Sequence, residues 1–392
     1  MSSVPMIGPP LDDDELKRFG ELMHIGFAFP PERIAGYYAA AEPENFRFIR
    51  TGRQLVGGLA ALPMGQFFGG RPLRMAGIAV VTTAPDQRGG DAATRLLRAT
   101  LEELHTAGVP LSVLYPATLP VYRRAGYELA GANLALELQT ARLDVRDRAL
   151  EMRPATPADE PAIHAVYRAA AERTPGFVDR GRFNWERVHD YRGTPARGYV
   201  VCAAGSVAGY VFLLDIPSQN DWYDVRVTDV VAADAAAARR LLTFFADHRM
   251  QREKILLRGS PTDPLLMQLA EQAWKVQNAA TWMLRIVDVR GALEGRGYPP
   301  GVSTEVHFDL RDDVLPPNQG RWVLRVADGR GVVEPGGRGS FALDARGLAA
   351  MYTGYQSPHD VLLAGRGTAP DADLAAAAAV FAGPQPWMRD AF

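Results

Sequence analysis

The residues whose types and spacing most directly suggest chemistry are Pro85-Asp86-Gln87-Arg88-Gly89-Gly90, followed by Asp91, Ala92, Ala93 and Thr94. A glycine pair at the mouth of a helix lets successive backbone N–H groups converge on an anion. The positive end of the helix adds to that field, and a pyrophosphate is well suited to such a cradle. A plain tight turn has the same composition, so the loop alone leaves both readings open. Other chemistries lack their residues. There is no G-x-S-x-G, no Gly-Lys pair for a Walker loop, no His-Glu-x-x-His and no complete G-x-G-x-x-G. Cys202 is the single cysteine, so internal disulfides and multi-cysteine metal sites are excluded, and no metal is expected. In the run Tyr199-Val200-Val201-Cys202 it reads as an inert buried thiol.

The elements that must hold this loop follow from apolar spacing. Leu55–Ala60 and Met75–Thr83 read as strands. Ala92–Thr106 reads as a helix because Leu96, Leu97, Thr100, Leu101 and Leu104 recur at three and four residues. Gly108 and Pro110 stop it, Leu111–Tyr115 is a short strand, and a further helical turn begins near Val121. Asp12-Asp13-Asp14-Glu15 opens an earlier helix, with acids at its positive end. A strand over Val225–Val231, a helix over Ala235–His248 and a strand over Ile255–Leu257 repeat the order, with Ala232-Ala233-Asp234-Ala235 where the glycine loop stood. From about residue 290 the texture changes to strands over Glu305–Leu310, Gly320–Val326 and Phe341–Leu343, helices over Gly347–Tyr352 and Ala372–Phe381, and a turn at Gly336-Gly337-Arg338-Gly339.

With 392 residues, two or three domains are expected. A hydrophobic share of 47 %, a charged share of 22 % and a net charge of -2 describe a globular chain with no bias toward nucleic acid or anionic membrane. No leader pattern opens the sequence, and no apolar run reaches the ~18 residues of a membrane span. A reduced, cytoplasmic setting with no membrane partner is the expectation.

The strand Val81-x-Thr83-x-Pro85, then Arg-x-x-x-x-Ala from Arg88 to Ala93, then the leucine-rich helix resembles the acetyl-CoA motif of the GNAT superfamily. Ala117-Thr118-Leu119-Pro120-Val121-Tyr122-Arg123-Arg124-Ala125-Gly126-Tyr127 resembles its closing signature, a tyrosine four residues before Gly-aromatic. Beyond these, Trp282–Val289, Ala292–Tyr298 and Pro261-Thr262-Asp263-Pro264-Leu265 resemble segments of the enhanced-intracellular-survival (Eis) acetyltransferases, so the likeness covers essentially the whole chain. It implies an α+β (mixed α/β) fold: a GNAT catalytic domain over 1–146, a degenerate GNAT-like domain over 147–289, and a sterol-carrier-like domain over 290–392.

The resemblance also implies an activity, N-acylation of a small-molecule amine with acetyl-CoA as co-substrate. The amine loses a proton and attacks a thioester, the growing oxyanion needs donors, and the departing thiolate needs a proton. By resemblance the Val81 N–H faces the acyl oxygen, the Thr83 backbone pairs with the pantetheine arm, and Arg88, Gly89, Gly90, Asp91, Ala93 and Thr94 surround the pyrophosphate. Tyr122 is the general acid and Tyr127 is packing. Phe392 brings its terminal carboxylate to the amine as Eis enzymes do, and a homo-oligomer, possibly a hexamer, is implied. Two positions depart from the pattern. Asp91 stands where glycine is usual; its carboxylate either repels a pyrophosphate or turns outward to cap the helix. Where Eis enzymes line the amine pocket with acids this chain has Gly26-Phe27-Ala28-Phe29 and Ala391, with Asp390 one step away. Phe27, Phe29 and Tyr37 then suit a less cationic, more apolar substrate, although such aromatics serve a core equally well. The competing reading is a GNAT-like protein repurposed for ligand binding, with CoA binding impaired.

Overall fold

The computed structural model describes residues 5–218 and 223–392. The chain forms two compact units, one of 1–130, 282–384 and Phe392, the other of 131–281 and 385–391. It passes from the first to the second inside one strand and returns inside another, Trp274–Ile286.

The first unit opens with β1 (Met6–Gly8) and helix α1 (Asp13–Phe27), which starts where the acidic run places it: Asp12 accepts the Glu15 N–H at 2.9 Å. Helix α2 (Ile34–Ala41) follows, then β2 (Phe46–Thr51), β3 (Gln54–Phe68) and β4 (Arg71–Thr83). These strands pair antiparallel in chain order from β1 to β4. Helix α3 (Ala92–Thr106) has the bounds its leucine spacing gives, with Leu96, Leu97, Thr100 and Leu101 buried on one face. It leads to β5 (Leu111–Leu114), which lies parallel to β4. Parallel neighbours need a crossover, and α3 supplies it. Helix α4 (Leu119–Arg124) completes this part, β6 (Glu128–Gln139) carries the chain into the second unit, and Met283–Ile286 pairs antiparallel on the other side of β5. Leu96, Leu97, Leu101, Ile78, Leu114, Tyr122 and Tyr127 share one core.

Beyond Trp282 the first unit also holds a five-stranded mixed sheet. Its spatial order is Arg330–Pro335, Gly320–Ala327, Thr304–Arg311, Phe341–Asp344 and Gly367–Thr368. The middle pair, Thr304–Arg311 with Phe341–Asp344, is parallel. Helices Val289–Gly295, Ala345–Tyr352, Pro358–Leu363 and Asp371–Val380 accompany it.

In the second unit Glu151–Pro154, Arg197–Ala203, Ser206–Pro217 and Tyr223–Ala232 form an antiparallel run. Arg252–Gly259 joins it in parallel, reached through helix Ala235–Asp247. This is the repeated strand–helix–strand order of the sequence. Its core gathers Leu241, Leu242 and Phe245 of the helix against Val225, Val227, Ile255 and Leu257 of the strands. Cys202 is only partly buried, at a register shift in its strand, which corrects the expectation of a fully enclosed thiol. No described helix is long and apolar enough to cross a membrane.

The closing signature is held by a buried ion pair. Gly126 has φ +85°, and a Cβ there would lie 3.0 Å from the Arg285 guanidinium carbon, so glycine is required on both counts. Arg285 donates to both Asp312 oxygens at 2.6 and 2.7 Å, with both side chains about 1 % exposed. Asp312 also accepts from the Leu315 N–H and the Asn318 amide. Replacing Asp312 by alanine leaves a buried guanidinium unpaired. The expected cost is about 3–5 kcal/mol of folding free energy, read from urea unfolding.

Candidate active site

The parallel ladder between β4 and β5 has its last pair at Ile78–Leu114. Beyond it β4 continues from Ala79 to Thr83 with no residue of β5 opposite, so the two strands form a fork. On the β3 side Gly58 pairs with Thr82 and Ala60 with Ala79. Leu59 therefore faces two residues, Val80 and Val81, in a β-bulge. Val80 sits at φ +47°, a left-handed conformation that costs a β-branched residue about 1–2 kcal/mol. Val80 and Val81 are both partly exposed although their neighbours on β4 are mostly buried. The bulge interrupts the β3–β4 register past the end of the β5 ladder, and Val81 is on it.

The glycine loop is placed at the end of this strand. Pro85–Gln87 makes a 3-10 turn, Gly89 takes φ +84°, and α3 begins at Ala92. The first intrahelical bond runs from the Arg95 N–H to the Asp91 carbonyl, and no side chain caps the helix. The N–H groups of Ala92, Ala93 and Thr94 are therefore left for an external acceptor. Asp91 neither caps the helix nor aims at the loop. Its carboxylate accepts from Arg95 Nε at 2.6 Å, on the exposed surface. Of the two expected orientations the outward one holds, with an ion pair in place of the cap. Arg88, Gly89 and Gly90 are exposed.

Tyr122 and Tyr127 differ in what their hydroxyls do. Tyr127 is fully buried and shares a 2.7 Å hydrogen bond with Ser112. Tyr122, on α4, is 6 % exposed with its ring 6.2 Å from Tyr127, and no described group hydrogen-bonds its hydroxyl. Burial raises the Tyr122 phenol to about 12. A thiol near ~8.5 then lies about 3.5 units below it, an uphill proton transfer of about 5 kcal/mol. That is larger than a solvated phenol would face. It shrinks if the thiolate is itself desolvated beside the ring.

Phe392 reaches the fork. Its ring centroid is 6.0 Å from that of Tyr115, the residue after β5. A Cβ on Gly77 would lie 3.0 Å from the Phe392 ring and 3.1 Å from the Met64 sulfur. Gly77 pairs with Val113 one step before the fork opens, so its missing side chain is what lets the ring lie on the strand. Gly77, Tyr115, Met64 and the bulge at Val80 were not legible as site residues. The available signal was glycine inside strands, at Gly57, Gly58 and Gly77.

The pocket aromatics divide. α1 ends against β4, since a Cβ on Gly26 would sit 2.7 Å from Thr82 Oγ1. Phe27, the next residue, is 44 % exposed. Phe29 packs edge-on to Tyr37 at 5.3 Å, and Tyr37 continues to Phe46 at 6.2 Å. Tyr37 is thereby part of the aromatic core under α2, while Phe27 is left exposed. Asp390 belongs to the second unit, where Arg180 Nε holds its carboxylate at 2.8 Å. Among the described residues no cluster of His, Cys, Asp and Glu is arranged to hold a metal.

In comparison with known proteins, three family matches succeed one another along the chain. An acetyltransferase (GNAT) domain family matches residues 9–130, a second acetyltransferase (GNAT) domain family 176–286, and a sterol carrier protein domain family 289–389. A GCN5-related N-acetyltransferase from Anabaena variabilis is 35 % identical, superposes with a TM-score of 0.95, and covers 99 % of this chain and 100 % of its own. An uncharacterised N-acetyltransferase of Streptomyces coelicolor is 29 % identical over 352 residues, 83 % of this chain and 82 % of the relative. Eis1 from Mycobacterium abscessus, 23 % identical, shares the fold with a TM-score of 0.81 over 99 % of this chain and 100 % of its own.

The Asp91–Arg95 pair can be tested directly. Arg95→Ala frees a carboxylate at the positive end of α3. Acetyl-CoA affinity measured by calorimetry should fall about three- to tenfold, and Asp91→Ala added to it should restore the loss.

Proposed function

This chain belongs to the GCN5-related N-acetyltransferases with Eis-like organisation, and on that premise we propose that it transfers an acyl group from acyl-CoA to the amine of a small, weakly charged molecule at the β4–β5 fork. The catalytic domain is taken as 1–146, followed by a degenerate GNAT-like domain over 147–289 and the sterol-carrier-like domain over 290–392. The observation that carries the reading is the fork. One open strand edge with a bulge at Val80 and Val81 leads directly into the uncapped start of α3.

Acyl-CoA, when bound, supplies the thioester. The amides of Ala93 and Thr94, with the backbone of Gly89 and Gly90 and the Arg88 side chain, receive its pyrophosphate. Thr83 holds the pantetheine arm through its backbone, along a strand edge that β5 has vacated. The Val81 N–H donates to the acyl oxygen as negative charge grows there. Tyr122 returns a proton to the sulfur. An unspent hydroxyl on an otherwise buried ring supports that role, because a structural tyrosine at this depth ordinarily spends its hydroxyl as Tyr127 does. Phe392, seated beside Gly77 and Tyr115, receives the amine through its carboxylate. A carboxylate near ~3.5 cannot deprotonate an amine near ~10.4 unaided. Its work is to hold the ammonium and pass a proton through water as burial lowers the amine.

The substrate side lacks the acids a polycation needs. Gly26-Phe27-Ala28-Phe29 offers an exposed ring beside β4, and the Asp390 carboxylate is committed to Arg180. An amine with an apolar body is the class this suits. The repurposed, CoA-blind reading loses its main support, because the Asp91 carboxylate faces Arg95. The same family reading carries a homo-oligomer, a hexamer in the Eis pattern, which sedimentation at micromolar protein checks.

Tyr122→Phe tests the assignment. Turnover should fall by about 10²-fold or more, with acetyl-CoA affinity nearly unchanged. Since the phenol is raised to about 12, it stays protonated far above neutrality. The wild-type rate should therefore climb with pH as the amine loses its proton, with no descending limb below about pH 11. Near-normal turnover in the variant would return Tyr122 to the core.

A further inference from the structure

The second unit has a fork of its own. Tyr223–Ala232 runs parallel to Arg252–Gly259, and the last pair is Arg226–Leu256. Val227–Ala232 then continues alone on that side, as Ala79–Thr83 does in β4. Two features close this fork where the first is open. Asp234 accepts the Ala237 N–H at 2.8 Å, so the helix start carries its own carboxylate in place of an external anion.

The second feature is the chain's own tail. Arg389 lies over the separated strands: its Nη1 donates to Asp229 Oδ1 at 3.2 Å and to the Val230 carbonyl, and its Nη2 is 3.5 Å from Asp263 Oδ2, just past Gly259. Arg180 ties this to the next residue, with Nη1 2.5 Å from Asp229 Oδ2 and Nε 2.8 Å from Asp390 Oδ1. Tyr210 donates to Asp229 at 2.6 Å. Main-chain bonds add to the grip. Ala132 N–H donates to the Pro386 carbonyl at 3.1 Å, Met388 N–H to the Ala132 carbonyl at 3.0 Å, and Trp387 N–H to the Pro175 carbonyl at 3.1 Å. The Trp387 ring stands edge-on to Phe177 at 4.7 Å, and Arg187 donates to the Ala391 carbonyl at 3.1 Å.

Termini ordinarily fray unless tied down. This one buries two guanidinium groups against three carboxylates. Buried ion pairs add little net stability over an apolar plug of the same volume, but they fix one orientation, since a planar guanidinium must meet its carboxylates at defined angles.

We propose that the fork of the second acetyltransferase-like domain is a receptor for the chain's own tail, residues 385–391, and that Arg389 and Asp390 are positioning residues that fix where Phe392 begins. The receptor stands on the contacts alone. The positioning role rests on the part assigned to Phe392 in the proposed function.

The test uses the 392-residue protein and two variants, Arg389→Ala and the near-isosteric Asp390→Asn, with melting curves to show that each is folded. Carboxypeptidase digestion followed by intact mass should remove Phe392 at least about tenfold faster from Arg389→Ala than from wild type, with Asp390→Asn between them. Turnover should fall at least about tenfold while the acetyl-CoA KM stays within about twofold, and Arg389→Lys should recover part of both. Equal resistance of Phe392 in wild type and both folded variants overturns the receptor. Faster release of Phe392 with unaltered turnover leaves the receptor standing and overturns the role given to Phe392.

Discussion

Two neighbouring strands that stop pairing part-way along their length set the terms for the rest of this protein. β4 and β5 share their ladder only as far as Ile78 and Leu114, while β4 stays bonded to β3. A strand edge opened inside a fold carries N–H and C=O groups that need partners, from water or a ligand. The bulge at Val80, the glycines on β3 and β4, and the uncapped start of α3 all surround that one edge. Strain at a left-handed β-branched residue persists only where its surroundings over-determine it. Here Gly57 and Gly58 do so: a Cβ on Gly57 would lie 2.5 Å from the Thr82 carbonyl, and one on Gly58 2.5 Å from the Phe48 ring.

The second unit answers the same topological problem differently. Its fork carries Asp229 rather than an open edge. Burial pushes that carboxyl up, but Arg180 and Arg389 outweigh it and bring it down to about 2. Asp263, with a weaker hold on Arg389, is raised by burial. The two carboxyls are thus shifted in opposite directions, because Asp229 meets two guanidinium groups and Asp263 one. Asp234 and Asp91 make the same contrast at the helix starts. Asp234 turns inward and bonds the first-turn amide of Ala237; Asp91 pairs with Arg95 outside the helix end. Both aspartates precede a helix by one residue, and their side-chain directions differ along with the loops before them, Gly89-Gly90 in one case and Ala232-Ala233 in the other.

Local pattern was enough to locate the elements that carry the site. The leucine spacing of α3 gives its bounds, Asp12 gives the start of α1, and the two motifs around Thr83 and Tyr122 give the family, because helix periodicity, capping and turn chemistry act over a few residues. That the second copy lacks the glycine loop is legible in the same way. How these parts are brought together is not. No local rule reveals that β4 and β5 separate after Ile78 or that Val80 turns left-handed, since each is set by packing against strands distant in sequence. Phe392 shares a seat with Gly77 and Tyr115, and Arg389 one with Asp229 and Asp263, for the same reason. Those partners lie more than a hundred residues away along the chain, so the charges buried there are matched by shape rather than by spacing.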